Sequence, residues 1–158
     1  MKRIETICKH LIESVEKNNL EEVKKLTEEL KHDVNTIVSY KNKLERDALT
    51  EAAHHGNITV INYLINNYGN VNIFYNSGKW NALTEAVAHK NGEVFKLLLS
   101  KANLDTKQKV MDYIRNEDYD EKMLDILTTS VGQDLAPLFD FFHEVGFSGA
   151  NWNAEESQ

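Results

Sequence analysis

Cysteine is almost absent from this 158-residue chain: Cys8 stands alone, which excludes an intramolecular disulfide framework and suits a reducing compartment. Proline occurs once and glycine seven times, so a collagen-like chain is excluded and a turn-dense β-sandwich disfavoured. Long apolar runs are missing as well. Stretches such as Leu97-Leu98-Leu99 are far too short to span a bilayer. Behind Lys2 and Arg3, Glu5, Lys9, His10 and Glu13 interrupt the apolar core that a signal peptide needs, and a soluble, cytoplasmic chain is expected. An excess of basic residues is lacking too. With 18 Lys+Arg against 25 Asp+Glu the net charge is −7, which argues against a nucleic-acid footprint.

What remains is ordinary globular material, 41% hydrophobic and 27% charged, enough for one self-sufficient core. Its organisation is repetitive. Ala48-Leu49-Thr50-Glu51-Ala52 recurs unchanged as Ala82-Leu83-Thr84-Glu85-Ala86, thirty-four residues later. At the same offset Val60-Ile61-Asn62-Tyr63-Leu64-Ile65 falls on Val94-Phe95-Lys96-Leu97-Leu98-Leu99. Thirty-eight residues upstream, Leu11, Glu13 and Val15 fall on Leu49, Glu51 and Ala53. Each unit reads as two short helices around a polar turn. Leu49, Ala52 and Ala53 are apolar at helical spacing, His55-Gly56-Asn57 breaks the pattern, and Val60, Ile61, Leu64 and Ile65 resume it. Neither helix buries its stripe alone, so stability must come from stacking on the next unit.

These residues resemble ankyrin repeats, units of about 33 residues with a T-P-L-H-x-A start. Asp47-Ala48-Leu49-Thr50-Glu51-Ala52-Ala53-His54-His55-Gly56-Asn57 matches that start with Ala48 in the proline's place and Thr50 in the histidine's. Asn81-Ala82-Leu83-Thr84-Glu85-Ala86-Val87 shows the same two departures. Asn67-Tyr68-Gly69-Asn70-Val71-Asn72, Lys101-Ala102-Asn103-Leu104-Asp105 and His32-Asp33-Val34-Asn35 resemble unit ends. The resemblance implies an all-α fold: a short ankyrin-like solenoid of three to four helix-turn-helix repeats with a helical C-terminal cap. The expected limits are 8–35, 46–72 and 80–105 for the repeats, 107–130 for a degenerate fourth and 134–147 for the cap, in one domain over 1–152. Residues 153–158 are expected to be a disordered tail. The departures remove a hydrogen-bond network that stiffens the family's helix starts. Pro137 is expected near a helix start after Asp134.

Glu13, Glu51 and Glu85 share one repeat position, with Asp112 as a fourth. The resemblance places that position on the concave groove, where the carboxylates are either an acidic ladder for a basic partner or plain solvated residues. It also places Lys43, Leu44 and Arg46 at one fingertip, and Ser77, Gly78 and Trp80 at the next, beside Phe74 and Tyr75. Trp80 is either an interface anchor or cover for its own repeat. His55 and His89 share a position and are expected to approach one another, with His54 adjacent. No HExxH, CxxC or His-x-His pattern accompanies them, so partner-contacting or structural histidines are expected, and no metal. Asn116-Glu117-Asp118-Tyr119-Asp120-Glu121 lacks the EF-hand glycine and last glutamate, leaving Asp120 as a helix cap. Cys8, among Ile4, Ile7, Leu11 and Ile12, reads as a buried thiol.

No catalytic triad, phosphate loop or cofactor motif is present, and no cofactor is expected. The reading is a non-catalytic, monomeric module that binds a protein partner, basic in character, through Glu13, Arg46, Glu51, His54, His55, Trp80, Glu85, His89 and Asp112. An inhibitor or immunity protein of a toxin or nuclease fits this. An effector acting on host proteins is the alternative role. A small enzyme using Asp140, His143 or Glu144 is the alternative of another class.

Overall fold

A computed structural model describes residues 2–68, 70–72, 74, 80–117 and 120–144, with backbone alone at 34, 38 and 137–144. The elements within them are helices: α1 (Lys2–Glu16), α2 (Leu20–Glu29), α3 (Val34–Ser39), α4 (Ala48–His55), α5 (Ile58–Asn67), α6 (Ala82–Ala88), α7 (Gly92–Leu99), α8 (Leu104–Asn116) and α9 (Glu121–Glu144). They stack as antiparallel pairs, α1 with α2, α4 with α5, α6 with α7 and α8 with α9. One row packs as α1–α4–α6–α8 and the other as α2–α5–α7–α9. Small residues allow the inner row to close up: Ala48, Ala52, Ala53, Ala82 and Ala86 are buried where α1, α4 and α6 meet. The outer row contributes bulk, with Val60, Ile61, Leu64, Val94, Phe95 and Leu98 essentially without exposure. Burying a side chain of that size contributes roughly 1.5–3 kcal/mol, and the rows share one continuous core.

Polar residues start and stop these helices in register. Asp47, Asn81 and Asn103 cap α4, α6 and α8, accepting the N–H of Thr50, Thr84 and Thr106 at 2.7, 3.0 and 2.8 Å. At Asn81 the cap is reciprocal, since Thr84 Oγ1 accepts the Asn81 N–H at 2.9 Å. Helix starts that lack the family's threonine–proline and histidine pairs are thus secured by other hydrogen bonds. The first helix of each clear unit ends on a left-handed residue at the same place: Asn18, Gly56 and Lys90, with φ of 53°, 69° and 54°. The next N–H reaches back five residues each time, Asn19 to Ser14, Asn57 to Ala52 and Asn91 to Ala86, closing a Schellman turn.

Three features differ from expectation. The link between the expected repeats 8–35 and 46–72, where no element is expected, holds most of α3, whose buried Ile37 packs near the start of α4. The fourth unit begins at Leu104, separated from α7 by the four residues 100–103, and its Asn103–Thr106 cap puts Lys107 where the earlier units have Glu51 and Glu85. Asp112 is therefore not the equivalent position. Finally, Asp134 and Pro137 do not mark a helix start: α9 begins at Glu121 and runs through both. Helical φ suits the pyrrolidine ring, and the bond that proline cannot donate would go to the carbonyl of Gln133, an exposed residue. Asp120 Oδ1 does cap α9, accepting the Met123 N–H at 3.1 Å. No helix among the described residues is long and apolar enough to cross a membrane.

Candidate functional site

The cap at Asp47 sets the phase of α4 so that Glu51 lies four residues on and His55 four beyond it; Asn81, Glu85 and His89 repeat the spacing in α6. In both helices the histidine returns to its own glutamate. His55 Nε2 lies 3.0 Å from Glu51 Oε1, and His89 Nε2 lies 3.1 Å from Glu85 Oε1. His54, one residue out of that phase, points across to the neighbouring repeat instead. Its Nδ1 lies 2.5 Å from Glu85 Oε1 and 2.8 Å from His89 Nε2, and the His54 and His89 rings meet edge to face at 4.4 Å. The histidine that approaches His89 is thus His54, with His55 held by Glu51.

Both carboxylates are out of water, Glu51 at 2% and Glu85 at 1% exposure. An open acidic ladder is therefore not what these positions form. The close approach of α4 and α6 covers them, and the turn over 41–46 folds onto Glu51. Asn42 organises that turn: its Oδ1 accepts the N–H of Leu44 and Arg46, and its Nδ2 donates to Glu51 Oε2 at 3.1 Å. Arg46 consequently leaves the fingertip. Its guanidinium lies 3.5 Å from Glu51 Oε2 and 3.7 Å from Glu85 Oε1, bridging the two repeats. An unpaired carboxylate in such a place would carry a desolvation cost of several kcal/mol, which Arg46, Asn42 and the imidazoles offset. The offset is uneven. Both oxygens of Glu51 are engaged, whereas Glu85 has its contacts on Oε1 and its buried Oε2 has no hydrogen-bond partner among the described residues.

The remaining predicted positions fall on other parts of the solenoid. Glu13 is half-buried on α1, and Asp112 is exposed on α8, where Gln108 Nε2 donates to it at 3.1 Å. Trp80 is half-buried just before the α6 cap, thirty-four residues after Arg46. Leu44 is 65% exposed at the first turn, and Phe74 packs partly on the core with Lys109 Nζ 5.3 Å from its ring centre. Tyr75, Ser77 and Gly78 lie outside the described residues, as do the side chains of Asp140, His143 and Glu144. Cys8 is buried, and burial, with the charges of Asp33 and Glu5, pushes its thiol above the ordinary range. Sequence reasoning misses two residues. Lys107 carries a signal, the Asn-x-x-Thr spacing shared by 81–84 and 103–106; Asn42 carries none.

A solenoid of paired helices with capped, small-residue inner helices and a polar cluster bridging adjacent units is a repeat-type binding scaffold. A family model of ankyrin repeats, in three copies, matches residues 10–109, and the chain belongs to the ankyrin-repeat family. No curated protein matches it, and no solved structure does. Ankyrin repeats are protein–protein interaction modules and generally carry no catalytic activity.

Proposed function

We propose that this chain is a non-catalytic module that takes a protein partner on the face formed by His54, His55 and His89 at the C-terminal ends of α4 and α6, with Trp80, at the other end of α6, and Glu13 and Asp112 as further contacts. The observation that carries this reading is the row of imidazoles on α4 and α6, partly exposed at their outer edges and held from beneath by buried carboxylates. Side chains fixed before binding lose little rotamer freedom on contact, and Trp80, at the opposite end of α6 from His89, supplies a second contact of the kind that dominates interface energetics. Glu51, Glu85 and Arg46 support the rings from within and do not meet the partner directly. A basic partner fits the net charge of −7, which would make association faster at low salt. Inhibition of a basic toxin or nuclease is the role that this charge favours.

The test is capture from the native lysate by wild-type protein and by a His55→Ala/Trp80→Ala variant shown to be folded by circular dichroism. One basic protein retained by the wild type, lost by the variant and weakened by added salt supports the reading. Equal retention by both places the interface on other helices and overturns it.

A further inference from the structure

His54 Nδ1, His89 Nε2 and Glu85 Oε1 form a triangle with sides of 2.5, 2.8 and 3.1 Å. While Glu85 is a carboxylate, protons on the imidazoles alone do not satisfy it. If both imidazole nitrogens donate to Glu85 Oε1, they face one another as two donors. If only His54 donates, the lone pair of His89 Nε2 faces the carboxylate oxygen; if only His89 donates, His54 Nδ1 does so at the shortest distance. Every placement leaves one side of the triangle repulsive, whereas one cation between the atoms makes all three contacts attractive. Charge points the same way. Among the described residues, the buried carboxylates of Glu51 and Glu85 share one guanidinium, and Arg46 is nearer to Glu51 than to Glu85. Glu85 Oε2, buried and without a hydrogen-bond partner among the described residues, leaves the same carboxylate a second donor oxygen.

From this geometry we infer that His54, His89 and Glu85 form a binding site for a divalent first-row transition ion, Zn²⁺ foremost, shared between the second and third repeats. Two imidazoles and one carboxylate are a zinc-type donor set and disfavour Ca²⁺ or Mg²⁺, which prefer oxygen ligands throughout. Ligands about 2.0–2.1 Å from a tetrahedral ion stand about 3.3 Å apart, so the triangle needs to open by less than about 1 Å. The two histidines can supply that movement, since their side chains are 27% and 43% exposed against 1% for Glu85. That exposure also gives the ion an entry path and leaves a further coordination position to water. Arg46 lies outside the triad and bridges Glu85 to Glu51, which pairs in turn with His55. The site does not depend on which protein the module binds.

The test uses the purified full chain, stripped with chelator and titrated with Zn²⁺ by calorimetry and with Co²⁺ by visible absorption. The expected result is one ion per chain, with the cobalt bands of a four- or five-coordinate site. His89→Ala and His54→Ala should each weaken binding by more than the roughly 10–100-fold that loss of a supporting partner costs. His55→Ala should leave it within that range. His89 is exposed, so its variant is expected to fold, which the circular dichroism spectrum checks. No saturable binding by the wild type up to about 1 mM, an affinity of about −4 kcal/mol, overturns the site. Binding unchanged in His89→Ala, or abolished equally by His55→Ala, overturns the assigned triad.

Discussion

At the scale of single residues, the decisive side chain is Arg46, because two buried carboxylates in different repeats depend on one guanidinium. Removing a partner from a fully buried pair costs about 3–5 kcal/mol. Arg46 is 17% exposed and its contacts are 3.5 and 3.7 Å, so Arg46→Ala should cost less, about 2–3 kcal/mol, read from urea unfolding. A cost near zero would mean that Asn42 and the imidazoles already compensate both charges. Cys8 provides a pH test. Its folded thiol titrates above the ordinary value of 9.0, so folding favours the protonated form. The contribution is fully present below that pH, and falls as pH rises from about 9 through the higher folded value. Cys8→Ala should therefore flatten the alkaline side of the stability profile, and the wild-type thiol should label slowly until the chain unfolds.

At the scale of elements, the Schellman turns permit a paired comparison. Gly56 adopts φ of 69°, and a Cβ there would lie 3.0 Å from Asn91 Nδ2, so Gly56→Ala should cost about 1–2 kcal/mol. Lys90 occupies the same turn at φ of 54° without glycine's freedom, and Lys90→Gly should gain about 0.5–1 kcal/mol, reduced by the greater unfolded-state entropy of glycine. Opposite signs in thermal melts, with the larger change at Gly56, are the expected outcome. The junction of α8 and α9 offers a second comparison. Lys107 is buried and its ammonium pairs with Asp134, which is partly exposed. Asp134→Ala strands a buried charge and should destabilise more than Lys107→Met, which removes the need for a partner. The pairs α4–α5 and α6–α7 are legible in the sequence because an identical pentapeptide fixes their register. The polar cluster is not, because its contacts join residues 31 and 35 positions apart and require the 41–46 turn to close over Glu51. Burial of Glu51 and Glu85 is a property of neighbouring helices; each helix alone shows only a carboxylate at a polar spacing. Lys107 escapes notice because the loss of the finger before α8 breaks the thirty-four-residue offset on which the other equivalences rest.

For the whole molecule, the stacking order determines how a local defect spreads. Each helical pair packs on the adjacent pairs, so stability is approximately a sum of unit and nearest-neighbour terms. Phe95 is fully buried in α7, the helix between α6 and α9, and Phe95→Ala should cost about 3–5 kcal/mol through lost burial and the cavity left behind. Native-state hydrogen exchange tells where that loss is felt. In the wild type, amides of α4 and α6 should exchange most slowly, because both helices have a neighbour on each side, while α1 and α2 at the end of the row exchange faster. In Phe95→Ala the loss of protection should be largest in α6, α7, α8 and α9 and smaller in α1 and α2. An equal drop across every helix would show instead that the units unfold together, with the Arg46, Glu51 and Glu85 bridge coupling the second and third repeats tightly enough to carry the defect through the chain. Adding Arg46→Ala to Phe95→Ala separates the two cases: near-additive losses fit independent neighbours, and a shortfall from additivity marks coupling through the bridge.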